Sequence, residues 1–200
     1  MNNEDLESLA YRIGNINNAQ FNNVYPILEA ELPALRLQFV HNSIAKSGTS
    51  LSLRKTPITA RINAASMKED DYCSEECLNF LIAMIKAKMN SVICGLTGSG
   101  KTELAKYLAG HINRWERIIT IEDTLELHLL TIYPNKDVVE LQVNNIVDYD
   151  GAIKSCMRMK PTWILLSEAR GYEVKELIKS ISTGARIITC LLYTSDAADD

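Results

Sequence analysis

The chain has 200 residues, 46% hydrophobic and 23% charged, with a net charge of −4. That is the balance of an ordinary globular protein of one domain or one and a half, long enough to bury a sizeable core. Asp196, Asp199 and Asp200 supply much of the acidic excess, so the body is near neutral and no large basic surplus announces nucleic acid; a local basic patch, and with it a nucleic-acid partner, stays open.

The opening of the chain, residues 1–20, is polar and acidic rather than a signal peptide, and no apolar stretch approaches the ~20 residues of a transmembrane segment. The five cysteines (Cys73, Cys77, Cys94, Cys156, Cys190) are odd in number and scattered, which reads as reduced thiols in a cytosol. Cys73 and Cys77 could share one helix face, but His41, His111 and His128 form no ligand-spaced cluster, so two small helix residues are the simpler reading than zinc.

In chain order, residues 4–31 begin with a helical pattern and loosen through Asn-rich positions. Two extended segments follow, LRLQFVHNSIA and TSLSLRKTP, joined by a Lys-Ser-Gly turn. The polar stretch TARINAASMKEDD reads as a connector. From there the pattern alternates: a helix over 74–88, the strand SVIC, a helix over 101–112, the strands RIITIED and VVELQV, a helix over 149–159, the strand TWILLSE, a helix over 172–182 and the strand ARIIT. Such alternation means a mainly parallel sheet covered on both faces. The expected divisions are a partial N-terminal domain over 1–60, a linker over 61–72, a nucleotide-binding core over 73–189 and a tail over 190–200.

GLTGSGKT, Gly95 to Thr102, is a complete G-x-x-x-x-G-K-[ST] loop, entered by the apolar strand Val92-Ile93-Cys94 and left through a helix. Gly95, Gly98 and Gly100 let backbone N–H groups turn inward around phosphates, and the helix N-terminus adds a positive dipole end. Lys101 then bridges the β and γ phosphates of ATP and the Thr102 hydroxyl ligates Mg²⁺. A flexible Gly-Ser loop would not need Lys-Thr after its last glycine. The expected nucleotide contacts are Gly95, Thr97, Gly98, Ser99, Gly100, Lys101, Thr102 and Glu103. Two strands end in acids at the sheet edge the loop occupies, so Glu122, Asp123 and Glu168 can converge on the γ-phosphate and its metal. Asp123, before Thr124, can equally well form its own turn.

These motifs, GLTGSGKTEL, RIITIEDTLEL and MRMKPTWILLSEARGYEVKELIKSISTGA, resemble those of the type II/type IV secretion ATPases, the motors of conjugation, type IV secretion and pilus assembly. The resemblance covers residues 95–184, and LSLRKTP extends it upstream. It implies an α/β fold, a RecA-like P-loop NTPase core with a mainly parallel sheet, preceded by part of a smaller α+β domain. It further implies that Lys101 and Thr102 hold nucleotide and that Glu122 and Asp123, the Asp box, help with metal and water. Glu168 would polarise or deprotonate the attacking water, and Arg54, with Arg36 as a second candidate, would reach nucleotide from the domain junction. Thr102 and Asp123 are thus the expected metal contacts, and Glu168, Glu122 and Lys101 the expected catalytic ones. By the same resemblance the full-length parent is a homo-hexamer, cytoplasmic and peripheral to the inner face of the cell membrane, working with inner-membrane secretion or pilus platform proteins.

Ser167 stands where the family has Gly, TEL stands where it has TTL, and no histidine follows Thr189 where its His box is expected. The segment CLLYTSDAAD, Cys190 to Asp199, is similar to the translation of a transposon-end adapter used in preparing sequencing libraries. Native sequence is therefore expected to stop near Thr189, with residues 190–200 adding nothing to function or stability. The rival readings are a nucleotide-binding fragment without turnover, a small-molecule P-loop kinase, and a nucleic-acid motor on the same core.

Overall fold

The computed structural model describes residues 3–69, 72–144, 146–169, 173–182 and 184–192. The chain divides into two compact units, Met1–Pro57 and Ile58–Asp200.

In the first unit helix α1 (Asn3–Ile16) covers an antiparallel sheet of β1 (Ile27–Leu32), β2 (Leu35–Val40) and β3 (Ser50–Lys55), in the order β1-β2-β3. Ala10 and Ile13 of α1 meet Leu28, Ala30, Leu37 and Phe39 in one buried cluster closed by Phe21. The alternate residues of β1 and β2 face out, as the two-residue period of a half-buried sheet requires. β1 was not expected: its sequence ILEAEL is made of good helix formers, and pairing with β2 from Ile27–Val40 to Leu32–Leu35 overrides that preference.

The second unit begins with α2 (Ala64–Glu69) and α3 (Glu75–Lys86). It continues with β4 (Ser91–Gly95), α4 (Lys101–Gly110), β5 (Ile118–Glu122), α5 (Leu129–Ile132), β6 (Val138–Gln142), α6 (Tyr149–Met157), β7 (Trp163–Ala169), α7 (Glu173–Ser182) and β8 (Arg186–Leu192). The strands pair in parallel in the order β4-β8-β7-β5-β6. Ile118, Ile119 and Ile121 are wholly buried, which is what a strand covered on both faces demands. One face packs Ile118, Trp163, Leu165 and Ile188 against Ala105 and Leu108 of α4; the other packs Ile119, Ile121, Ile164 and Ile187 against Ile153 of α6 and Leu177 of α7.

Trp163 is fully buried, and its indole Nε1 donates to Glu116 Oε2 at 2.8 Å. Trp163→Ala is expected to cost about 3–5 kcal/mol, the cavity and the stranded acceptor acting together. Urea denaturation monitored by circular dichroism measures it, and a loss below about 1 kcal/mol would show a core that collapses around the gap.

Two expectations are corrected. The presumed linker 61–72 contains α2, and Met67 on it is 2% exposed within the main core. A single apolar anchor among polar residues gives no periodicity to read. Strand β8 also continues past Thr189: Cys190, Leu191 and Leu192 pair with Ile93, Cys94 and Gly95, and Cys190 is 2% exposed. Residues 190–192 are thus the last three of the seven residues of β8, the strand that lies between β4 and β7. Residues 193–200 lie outside the described residues.

Candidate functional site

The loop after β4 makes the turn that its glycines predict. Gly98 and Gly100 have φ of 81° and 87°, the left-handed region that side chains rarely adopt. A Cβ on Gly98 would meet nothing within 4 Å, so its need for glycine is conformational. At Gly95 the need is steric, because a Cβ there would stand 2.7 Å from Ser99 Oγ. Gly100 caps α4 without a side-chain hydrogen bond, leaving the first-turn N–H groups directed at the loop. Thr97 and Ser99 are exposed on it. Lys101 folds back over the loop: its Nζ donates to the Gly95 carbonyl at 2.9 Å and the Leu96 carbonyl at 2.8 Å.

The acids after β5 separate by role. Glu122 shares the parity of Ile118 and Thr120, which puts it beneath α4 with no exposed surface. Its Oε2 accepts from the backbone N–H groups of Glu126 at 2.9 Å and Leu127 at 3.0 Å, while Oε1 has no hydrogen-bond partner among the described residues. Burial raises its carboxyl to about 7, against the pull of those two N–H groups; the Glu140 carboxylate adds to the rise and the Thr120 hydroxyl opposes it. Glu122 therefore holds the following loop in shape.

Asp123 is half-buried, and its Oδ1 accepts from Thr124 N at 2.8 Å, the turn-forming arrangement weighed for it in the sequence. Its backbone N–H donates to the Tyr149 hydroxyl at 3.1 Å, and its carbonyl accepts from Gln142 Nε2 at 3.2 Å. The carboxylate brought to the phosphate loop is Glu126, whose Oε2 accepts from the Thr102 hydroxyl at 3.5 Å. Sequence reasoning quoted Glu126 within RIITIEDTLEL without choosing it. Its signal was the i,i+4 spacing from Glu122 across a tight turn.

Glu103 is placed differently from a nucleotide contact. It is 6% exposed: Oε1 receives Lys106 Nζ at 3.0 Å and faces Arg61 Nε at 3.6 Å, and Oε2 accepts from Arg61 N at 3.0 Å. Its side chain fastens α4 to the segment before α2. Glu103 and Gly100 also line a cavity of about 230 Å³ with Arg61, Ile62, Met67 and Tyr72. Glu168 lies on the backbone of β7, at the same strand-end edge as the loop; its side chain is outside the described residues. Arg54 and Arg36 belong to the first unit, directly opposite one another on the outward face of β2 and β3, with Arg36 4.0 Å from Glu29.

A glycine loop with cleared Cβ positions, a lysine folded over it, and a threonine facing a carboxylate fit a Mg-nucleotide. With the parallel strand order they define a RecA-like P-loop domain. The chain belongs to the Type II/IV secretion system protein family, whose model matches residues 28–200.

Among relatives, it is 32% identical over 189 residues to the type IV secretion system protein VirB11 of Brucella suis biovar 1, covering 80% of this chain and 52% of that protein. It is 27% identical over 186 residues to an uncharacterized protein of Bacillus anthracis, covering 93% of this chain and 41% of that one. The crystal structure of the Brucella suis VirB11 ATPase in complex with sulphate aligns with a TM-score of 0.55 at 27% identity, over 98% of this chain and 65% of that one. In fold alone, the pilus retraction motor PilT with bound ADP aligns at 0.62 with 21% identity, over 84% of this chain and 47% of that one. The chain thus spans about half the length or less of the curated relatives named here.

Proposed function

We propose that the chain is the nucleotide-binding part of an ATP-hydrolysing motor subunit for type IV secretion, conjugation or pilus assembly. The observation carrying this reading is the approach of Glu126 to the Thr102 hydroxyl at the mouth of the Lys101 loop. Thr102 and Glu126, with Asp123 beside them, would hold Mg²⁺, which when bound neutralises charge between phosphate oxygens. Lys101 exchanges its two loop carbonyls for phosphate oxygens, and the N–H groups of the loop orient them. Glu168, at the end of β7, is the proposed acceptor of the proton from water, and Glu122 acts by positioning the 123–127 loop. Arg54 and Arg36 are proposed to reach the nucleotide in the assembled protein, a hexamer working in the cytoplasm beside an inner-membrane platform.

The test is phosphate release from Mg-ATP alongside binding of a fluorescent ATP analogue. Glu168→Gln is expected to bind the analogue as wild type does and to lose at least about 100-fold in turnover. Glu126→Gln is expected to lose turnover and to raise the Mg²⁺ concentration giving half-maximal rate. Wild type that binds the analogue without any turnover would favour the non-hydrolysing fragment. Phosphate transfer to a small-molecule acceptor would favour the kinase, and stimulation by added DNA the nucleic-acid motor.

A further inference from the structure

In a parallel sheet every strand starts at one edge, so the junctions leading into the strands share the edge opposite the phosphate loop. Four of these junctions, residues 86–90, 111–117, 133–137 and 158–162, carry seven lysines and arginines against Glu116 and Asp137. That is a local surplus of five positive charges on a chain of net charge −4. The two acids are engaged within the edge, Glu116 with Lys88 at 2.6 Å and Asp137 with Arg117 at 2.9 Å. Lys86, Arg114, Arg158 and Lys160 are exposed. Lys86 and Lys136 lie close enough to His111 to add to the effect of burial in lowering its pKa.

At the junction into β5, one strand in from the β6 end of the sheet, Trp115 is 78% exposed, with the Arg114 guanidinium 4.4 Å from its ring centre, and Met89 is 49% exposed at the junction into β4, the other end. An indole standing out of a globular surface among cations is unusual unless something covers it.

We propose that this edge docks on an anionic lipid surface, Trp115 entering the headgroup layer while the lysines and arginines face lipid phosphates. The cations are spread over a rim roughly 19 Å wide, four strand spacings, which matches a planar acidic surface. A single-stranded nucleic acid would call for a cationic groove with successive aromatic platforms, and this edge has one exposed tryptophan. The inference builds on the proposed placement beside a membrane, but nucleotide turnover plays no part in it.

The probe is the whole chain with phosphatidylcholine vesicles, with or without about 30% phosphatidylglycerol, at low and high salt. Trp163 is buried, so a blue shift of tryptophan emission on binding reports Trp115. The wild-type protein should float with the anionic vesicles, shift its emission, and release about tenfold or more as salt rises past the screening length. Lys86→Glu/Arg114→Glu/Lys160→Glu should abolish flotation while retaining the wild-type circular dichroism. Lys101→Ala, which removes turnover, should float as wild type does, so loss of the motor reading and loss of this one are told apart. Equal binding to both vesicle types, flotation without an emission shift, or retention of a single-stranded oligonucleotide without flotation would each overturn the proposal, the last in favour of nucleic acid. Should the triple variant misfold, the emission and salt measurements on the wild type decide alone.

Discussion

Lys101→Ala is expected to reduce kcat/KM for Mg-ATP by about 100- to 1,000-fold. The side chain starts at the first residue of α4 and reaches back over the loop to the carbonyls of Gly95 and Leu96. In the proposed reaction a cation so placed would meet the charge that builds on the transferred phosphoryl group, where fixed electrostatics act most strongly. Among the described residues its hydrogen bonds go to two loop carbonyls, so denaturation free energy should move by no more than about 0.5 kcal/mol. Phosphate release and urea titration on the same preparation check both halves. Undiminished turnover would remove the loop from the chemistry.

Glu122→Gln is expected to flatten the dependence of stability on pH. In the folded protein the Glu122 carboxyl keeps its proton to about pH 7, whereas the ordinary value is 4.5. Between those two values the folded state holds a proton that the unfolded state has released. Stability therefore falls as pH rises through that window, by on the order of 3 kcal/mol, and is level on either side. Glutamine keeps an oxygen for the N–H groups of Glu126 and Leu127 and has no charge to bury. The wild type should thus lose about 2.5 kcal/mol more than the variant between pH 5 and pH 8, and the variant should be the more stable at pH 8. Glu122→Ala, which strands both N–H groups, should be less stable than wild type at either pH. Parallel pH curves for wild type and Glu122→Gln would show that the carboxyl titrates normally and that its burial is relieved.

The parallel core was legible because its strands are short apolar runs bounded by turn residues, and because Gly95 to Thr102 admits few other uses. What stayed hidden depends on tertiary choices. β1 pairs against its own helix propensity, and α2 is anchored in the core by Met67. Three carboxylates within five residues, Glu122, Asp123 and Glu126, look interchangeable as a string. Strand parity sends the first under α4, the turn engages one oxygen of the second, and the third accepts from the Thr102 hydroxyl. Glu103 looked like part of the loop because of its neighbours, and its burial with Lys106 could not be read from one helix turn.

The attachment of Arg61 to Glu103 has a mechanical side. The second unit begins at Ile58, and three residues later Arg61 donates its backbone N–H to one oxygen of Glu103 and sets its guanidinium beside the other. Glu103 follows Thr102 directly on α4 and is braced from behind by Lys106. A pull on the strand of chain leaving Pro57 would be delivered, within four residues, to the helix turn that carries Lys101 and Thr102. Stretching the chain at that point would therefore load the first turn of α4 before any strand of the second unit's sheet.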